Sequence, residues 1–336
     1  MEEDLILAKA TLATGGAVLV PKGYRIPVRI SRSTAGPGAG TRSVVFSFGG
    51  MRVKKEISAE SGDFVFDPER RTLSKDGDVL ANDVSIIPVA FHCPEQAFFN
   101  LDQRCMFDCL FCSSPLLEID ATEGLDAEKI ASMVVNSEDT IKSIALTSGV
   151  RDSVERTVGR MIGCVSVLHE RFPDLPIGVE PYVDDIAQID GLHEAGASEI
   201  KINLETATDG LFKTFCPSLD RNNIFDMLAH SVEVFGEGKV SSNIIVGLGE
   251  TDDDVRDIIE KLSSMGVVPT IRALRMGRLT RDVLIENGAG CPSPQRMIGI
   301  AEMEKKILEG NGLDTRTFDT MCLSCTCCDL VPFIDL

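Results

Sequence analysis

From about residue 95 onward, short apolar runs alternate with longer amphipathic segments, and this alternation constrains the fold most strongly. The apolar runs predict six strands, at residues 97–101, 143–147, 177–182, 199–203, 242–246 and 269–274. The amphipathic segments predict helices, several with Asp at a plausible N-cap, at residues 126–135, 152–169, 184–195, 223–235 and 252–265. Alternating strands and helices form a parallel sheet. Because the strands are almost continuously apolar and no GxGxxG fingerprint accompanies them, we predict an α/β fold with a partial (β/α)6 TIM-like barrel.

The chain before residue 90 has a different character. Segments rich in β-branched and aromatic residues occur at 25–31, 43–48 and 53–57, with turn-forming residues at 34–38 and 75–77. We therefore predict three parts: a small β-rich domain over residues 1–90, the barrel over 91–290, and a helix with a cysteine-rich tail over 291–336.

Composition narrows the class of protein. The chain has 336 residues, 43% of them hydrophobic, and a formal net charge of −19. Binding a nucleic-acid backbone requires an excess of Lys and Arg, so this charge argues against nucleic acid as the main partner. No run approaches the roughly 18 to 20 apolar residues that span a bilayer, and no secretory signal pattern opens the sequence. We expect a cytoplasmic protein with no membrane partner.

Eleven cysteines are present, and seven of them form two groups. The first group is Cys105, Cys109 and Cys112, and the second is Cys322, Cys325, Cys327 and Cys328. In a reducing cytoplasm, closely spaced cysteines indicate metal ligands rather than disulfides. The isolated cysteines are Cys93, Cys164, Cys216 and Cys291. Since Cys164 lies in a helical pattern, we expect it to be a small buried hydrophobic residue.

The first group has the spacing CxxxCxxC and follows the first predicted strand; we call residues 105–112 the cysteine loop. Three thiolates can hold one cubane iron–sulfur cluster and leave its fourth iron open to another ligand. A barrel places its chemistry at the carboxyl ends of its strands, where this loop stands. The alternative is a structural zinc or redox site, although three ligands leave zinc one short.

These features resemble the radical S-adenosylmethionine (SAM) superfamily, whose cluster loop follows the first barrel strand and has an aromatic residue before its last cysteine, as Phe111 is here. The resemblance implies a [4Fe-4S] cluster with exchangeable SAM on the open iron, and a low-potential electron donor such as ferredoxin or flavodoxin. It also implies cleavage of SAM to a 5′-deoxyadenosyl radical that abstracts hydrogen from an unactivated C–H bond. No catalytic residue beyond the cluster is required for that step.

Residues after the second and fourth strands resemble SAM contacts of this family. Ser148 and Gly149 stand where the family has a glycine-rich pair and an acidic residue. Because the acidic residue is missing here, backbone carbonyls would have to hold the SAM amino group. Glu205 resembles the family's acidic contact to SAM. The alternative is an ordinary glutamate at a helix N-terminus.

The last two strands add three further candidates. Gly247 and Gly249 lie in a turn that resembles the family's contact with adenine, where glycine allows close approach of the backbone. Arg272 lies in the sixth strand, and an arginine that faces into a barrel needs a carboxylate or a cluster as its partner. Biotin synthase, a member of the family, has such an arginine beside its second cluster. A surface position is the alternative for Arg272.

The second group of cysteines offers four thiolates within seven residues, enough for a second iron–sulfur cluster. The adjacent Cys327 and Cys328 point in different directions, so Cys93 or Cys291 is a candidate for a missing ligand. A structural zinc knot and a flexible redox pair are the alternatives.

Residues 178–278 resemble the biotin synthase branch, which lacks a cysteine tail of this kind. Archaeal two-protein lipoyl synthases are biotin-synthase-like proteins with additional cysteines. Resemblance to them implies a sulfurtransferase that inserts sulfur at unactivated C–H bonds in lipoyl or biotin-type cofactor synthesis, with a lipoyl-carrier protein and a second radical SAM subunit as partners. The alternatives are a rearrangement or methylation with a second cluster that relays electrons or binds substrate, and a non-catalytic iron–sulfur carrier.

Overall fold

The computed structural model describes residues 2–32, 41–117 and 125–336, so the turn expected at 34–38 lies outside the described residues. Within these ranges the chain forms two β-sheets, one on each side of residue 90. The first sheet contains β1 (Val18–Leu19), β2 (Ser31–Arg32), β3 (Arg42–Phe48), β4 (Met51–Ser58), β5 (Phe64–Asp67), β6 (Thr72–Lys75), β7 (Asp78–Ala81) and β8 (Ser85–Ile87).

The first sheet has the order β2-β3-β4-β1-β5-β6-β7, with β8 paired to β3. The β-rich segments 43–48 and 53–57 form β3 and β4. In the β-rich segment 25–31 only Ser31 enters a strand. Pro27 has no backbone N–H to donate to a ladder, which disfavours a strand there. The sheet covers its own apolar core, which includes Phe46 and Phe64.

A helix that the sequence did not predict, α1 (Glu2–Thr14), precedes this sheet. Apolar residues occur on several of its sides, including the consecutive Leu5, Ile6 and Leu7, so no one-sided periodicity marks it. It packs against β4 and against α9 (Pro294–Gly310), and so joins the N-terminal part to the rest of the molecule.

The second sheet is parallel throughout and follows chain order. Its strands are β9 (Gln96–Asn100), β10 (Ser143–Thr147), β11 (Ile177–Glu180), β12 (Glu199–Lys201), β13 (Val240–Val246) and β14 (Val267–Ala273). All six predicted strands are confirmed. In the described ranges the edge strands β9 and β14 do not pair with each other, so the sheet is open. The prediction of an α/β fold with a partial, TIM-like barrel is confirmed.

Helices connect and cover these strands, and the five predicted ones are confirmed with small shifts at their ends. They are α2 (Ala127–Val135), α3 (Val154–Arg171), α4 (Ile186–Glu194), α6 (Arg221–Phe235) and α7 (Asp252–Ser264). The structure adds α5 (Asp209–Phe215), α8 (Arg281–Glu286), α10 (Met321–Cys325) and short 3-10 turns at Ser114–Leu116, Glu138–Thr140 and Thr315–Thr317. Asp126 caps α2 as expected, accepting a backbone N–H of the first turn. Asp185 and Asp220 cap α4 and α6, although the sequence placed those helix starts at residues 184 and 223. Ser153 and Thr251, rather than the neighbouring Asp residues, cap α3 and α7. Across the described residues, no helix has both the length and the apolar character to span a bilayer.

Residues 319–336, which we call the cysteine tail, lie between the two unpaired edges of the second sheet. Met321 N–H donates to Gln96 Oε1 of β9 at 3.1 Å, and Asp329 Oδ2 accepts from Arg272 of β14 at 2.9 Å. The tail also passes β11, where a Cβ on Gly178 would lie 2.1 Å from Thr320 Oγ1. The tail therefore fills the interior side of the open sheet.

Lys9 of α1 also holds the cysteine tail in place. Its ammonium is fully buried and donates to Asp335 Oδ2 at 2.6 Å and to Thr326 O at 2.7 Å. A buried ammonium is costly unless it is paired, so these contacts make the position of the tail depend on α1.

We expect Lys9→Met to lower the free energy of unfolding by about 3–5 kcal/mol, because it leaves the buried Asp335 carboxylate unpaired. Urea denaturation under reducing conditions measures the change. The matched control is Lys142→Met, whose ammonium is 76% exposed and pairs with Glu95; it should cost less than about 1 kcal/mol. Equal losses in the two variants would contradict the role of Lys9.

Candidate cofactor site at the carboxyl ends of the strands

The cysteine loop follows β9 directly and is held by backbone hydrogen bonds to two other segments. Met106 N–H donates to Val150 O at 2.6 Å, just beyond β10. Leu110 N–H donates to Phe215 O at 2.9 Å, at the end of α5. These bonds hold the loop over the carboxyl ends of the strands.

The three thiols of the cysteine loop are partly buried. Burial raises the pKa of Cys112 to about 11, although hydrogen bonds from Ser114 oppose the rise. Burial also raises the pKa of Cys105, against backbone hydrogen bonds that lower it. Because metals bind the thiolate, metal binding at this loop would release protons.

Cys216 also belongs to this site, although the sequence did not connect it with the cysteine loop. Its thiol is fully buried at the end of α5 and is hydrogen-bonded to the side chain of Cys109. That hydrogen bond and burial raise the pKa of Cys216. The contact arises only from tertiary folding, so no local signal marks it. Cys164, by contrast, is buried within α3 as expected.

Gly149 provides close contact between the cysteine loop and the chain after β10. Its N–H donates to Asp102 O at 2.7 Å, and a Cβ at this position would lie only 2.4 Å from Arg104 O. A larger residue would therefore displace the backbone that leads into the loop. Ser148 Oγ donates to Gly149 O at 2.8 Å, so the predicted pair borders the cysteine loop.

Glu205 lies in the loop after β12, with a left-handed backbone φ of +69°. Its N–H donates to Asn243 O and its carbonyl accepts from Ile245 N–H, both at 2.8 Å. Burial raises the pKa of its carboxyl to about 7. The alternative of a helix N-terminal glutamate is wrong, because Thr208 caps α5 and the helix begins at Asp209.

Near Glu205 lies a group of charged residues that we call the charged centre: Glu180, Lys201, Glu205, Arg272 and Asp329. Lys201 Nζ is 3.3 Å from Glu180 Oε1, and Asn203 donates to the same oxygen at 2.9 Å. Burial raises the pKa of Glu180, but Lys201 and Asn203 outweigh burial and bring it below its ordinary value. The charged centre therefore contains closely paired charges.

Arg272 connects the charged centre to the cysteine tail. Its guanidinium donates to the two oxygens of Asp329 at 2.9 and 3.3 Å, and to Cys322 Sγ at 3.1 Å. Lys201 Nζ lies 3.5 Å from the same sulfur. The expected carboxylate partner of the arginine thus comes from the tail, which also brings one thiol to the interior of the sheet.

Glu304 of α9 is buried near Asp329. Its side chain is 1% exposed, and within the described part of the chain neither carboxyl oxygen has a hydrogen-bond partner. Burial, together with the negative charge of Asp329, raises the pKa of Glu304 well above its ordinary value. A neutral carboxylic acid is the form that this environment favours.

The glycines after β13 form a tight turn. Gly247 and Gly249 have φ of +115° and +118°, which favour glycine. A Cβ on Gly247 would lie 2.3 Å from Gly290 O, so another part of the chain occupies that side. Glu250 accepts the N–H groups of Gly247 and Leu248 at 2.8 and 2.9 Å and thereby closes the turn.

The tail thiols do not converge on one place. Cys322 contacts the charged centre. Cys325 is hydrogen-bonded to Cys327 and also to Cys93, one of the two isolated cysteines proposed as an additional ligand. The tail cysteines are therefore divided between two environments, and their role as metal ligands stays a prediction.

Cys328 and Cys291 differ in their exposure to solvent. Cys328 is near Arg272 and Cys325, and its carbonyl accepts from Arg275 Nη2 at 3.4 Å. Cys291, the other candidate for an additional ligand, is exposed on the loop between α8 and α9.

Residues 100–262 match the Radical SAM superfamily model. The match begins at the end of β9, includes the cysteine loop and ends within α7. The chain therefore carries a radical SAM domain, and this family implies a [4Fe-4S] cluster and SAM.

Lipoyl synthases are among the curated relatives. The one from Haemophilus influenzae is 25% identical over 174 residues, which are 51% of this chain and 53% of that protein. The one from Chlamydia abortus is 26% identical over 226 residues, which are 64% of this chain and 71% of that protein. The chain thus spans about half the length of the first of these relatives.

A solved structure supports the fold. The crystal structure of methylornithine synthase has a TM-score of 0.51 to this chain at 16% identity, and the match covers 62% of this chain and 61% of that one. The two proteins share the barrel architecture.

The residues present fit the cofactors that the family implies. Three partly buried thiols on one loop are the donor type that iron–sulfur clusters take. The backbone at Gly149 packs directly on the entry to that loop, and the Glu205 carboxyl lies near Cys216.

We expect Gly149→Ala to disturb the site without unfolding the protein, because the new Cβ would push on Arg104 O at 2.4 Å. SAM cleavage by the anaerobically reconstituted protein should fall by about 10- to 100-fold. The control is Gly159→Ala in α3, where a Cβ meets nothing within 4 Å. Unchanged cleavage by Gly149→Ala would show that the loop tolerates this displacement.

Glu304 generates a pH-dependent prediction. Since its pKa is raised in the folded state, the folded protein keeps a proton that the unfolded chain loses above a pKa of about 4.3. Stability is therefore lost as pH rises between these two pKa values. Denaturation at several pH values should show Glu304→Gln gaining about 1.4 kcal/mol per pH unit relative to wild type in this window. Glu302→Gln, exposed on the same helix, is the control; parallel pH curves for Glu304→Gln and wild type would contradict the prediction.

Proposed function

We propose that this protein is a radical SAM enzyme that inserts sulfur at unactivated C–H bonds, as in lipoyl or biotin-type cofactor synthesis. Cys105, Cys109 and Cys112 would hold a [4Fe-4S] cluster, with SAM bound near Ser148, Gly149 and Glu205. When bound, the cluster and SAM together supply a 5′-deoxyadenosyl radical that removes hydrogen from the substrate.

The protein's own residues position the reactants and exclude water. Gly149 sets the approach of the chain after β10 to the cysteine loop. Glu205 is tied to β13 by two backbone hydrogen bonds, so its carboxyl has a defined position. Gly247 and Gly249 shape the turn proposed to lie beside the adenine. Fixed polar groups of this kind orient a ligand without reorganising.

The contact between Cys322 and Arg272, at 3.1 Å, carries the proposal of sulfur chemistry. It places a thiol of the cysteine tail inside the same partial barrel as the cysteine loop. The names of the curated relatives, lipoyl synthases, support the same reaction class. In this proposal cysteines of the tail would hold a second iron–sulfur cluster, and sulfide of that cluster would be the source of the inserted sulfur.

The proposal includes several partners. A low-potential donor such as ferredoxin or flavodoxin would deliver the electron, a lipoyl-carrier protein would present the substrate, and a second radical SAM subunit would act with this one. The described cysteines are free thiols, which is consistent with a reducing, cytoplasmic compartment.

The test uses protein reconstituted anaerobically with iron and sulfide, reduced with dithionite, and incubated with SAM and an octanoylated lipoyl-carrier peptide. We expect 5′-deoxyadenosine by chromatography and a peptide mass gain that corresponds to sulfur replacing hydrogen. Cys109→Ala should abolish both products, whereas Cys164→Ala, buried in α3, should retain them.

Three outcomes separate the candidate functions. No 5′-deoxyadenosine from a fully loaded protein would leave the non-catalytic iron–sulfur carrier. 5′-Deoxyadenosine without a change in peptide mass would favour a rearrangement or methylation on another substrate. Both products together would establish sulfur insertion.

A further inference from the structure

Four cysteines from two distant parts of the chain meet beside β9. Cys93 precedes that strand, and its thiol is hydrogen-bonded to Cys325 at the end of α10. Cys325 is also hydrogen-bonded to Cys327, whose thiol donates to Cys325 O at 3.2 Å. Cys328 lies near Cys325 as well.

Local backbone structure brings these thiols together. Thr326, between two of the cysteines, has a left-handed φ of +58°, which is rare for a β-branched residue and turns the chain sharply. Cys327 O accepts from Lys54 N–H of β4 at 2.7 Å, which ties the tail to the first sheet. Cys93 forms an isolated antiparallel bridge with Gln96. Cys93 is thus held beside β9, Cys325 ends α10, and Cys327 is tied to β4.

Cys322 belongs to a different environment. Its sulfur lies 3.1 Å from Arg272 Nη2 and 3.5 Å from Lys201 Nζ, within the charged centre. The most obvious ligand set, the four cysteines of the tail, is therefore divided by the fold.

A buried lysine accompanies the four thiols. Lys54 is 5% exposed, and its ammonium donates to His92 O at 2.7 Å and Ser31 Oγ at 3.2 Å. In the part of the chain that the structure describes, no carboxylate pairs with it, and the groups that favour its charge are the thiols of Cys93, Cys325, Cys327 and Cys328. A buried cation without a carboxylate is stabilised when an anionic group binds beside it.

We propose that Cys93, Cys325, Cys327 and Cys328 bind a second iron–sulfur cluster, and that Cys322 remains free to face the charged centre. Four thiolates are the usual ligands of a cubane. Among the described residues, no three Cys, His, Asp or Glu side chains surround one position for a single ion, whereas a cubane distributes its ligands over four irons. The use of this cluster rests on the proposed function, but its ligand set does not.

The site has a path to solvent. Cys325 lines an open cleft of about 310 Å³ together with Arg52, Glu95, Lys142 and Ser324. Iron and sulfide can reach one ligand through this cleft while Cys93 and Cys327 stay buried.

The test measures metal content, with no dependence on SAM. In a Cys105→Ala, Cys109→Ala, Cys112→Ala background, iron bound after anaerobic reconstitution with ferrous iron and sulfide reports on the second site alone. We expect about four iron and four sulfide per chain in this background, together with the broad visible absorbance of an iron–sulfur cluster. Adding Cys93→Ala or Cys325→Ala should remove more than about half of that iron, while adding Cys322→Ala or Cys164→Ala should retain it.

Three results would overturn the proposal: no iron in the background variant, zinc in place of iron, or loss of iron with Cys322→Ala and not with Cys93→Ala. Thermal melts of the metal-free variants distinguish ligand loss from unfolding, and Cys93→Ser provides a second, smaller change at the same site. Since SAM cleavage is assayed separately with an intact cysteine loop, failure of the proposed radical chemistry and failure of this ligand set are distinguishable.

Discussion

The ion pair between Arg272 and Asp329 organises the interior of the sheet. The Arg272 guanidinium keeps its charge at every relevant pH and is only 26% exposed, so a carboxylate beside it is stabilising. Here that carboxylate comes from the cysteine tail and not from a neighbouring strand, at 2.9 Å. The pair therefore holds a distant part of the chain inside the partial barrel. The position of Cys322 beside Arg272 follows from it.

Buried lysines lie along the path of the cysteine tail, although the chain as a whole is acidic. The chain has a net charge of −19, yet Lys9, Lys54 and Lys201 are buried along the path of the tail. Thiolates, and clusters bound by four of them, are anionic and gain stability near buried cations. Hydrogen bonding to Cys325 and burial raise the pKa of Cys93 and of Cys327, and the buried lysines Lys54 and Lys9 oppose that rise.

The barrel was largely predictable from sequence, because its strands are continuous apolar runs and its helices are amphipathic segments that begin at Asp, Ser or Thr caps. The strand predicted at 143–147 coincides with β10. α1 was not predictable from periodicity, since its apolar residues are not confined to one side. The approach of Cys216 to Cys109, and of Cys93 to Cys325, depends on which strands and helices become neighbours. Spacing along the chain identifies the cysteine loop but carries no information about such partners.

The contact of Lys9 with the carbonyl of Thr326 joins residues 317 positions apart. During synthesis all six strands leave the ribosome before the cysteine tail exists. At that stage the cysteine loop is complete, but the interior of the barrel is still open to water. Lys9 of α1 does not yet have its partners in the tail. We expect the molecule to mature in two stages, with closure of the interior as the late one.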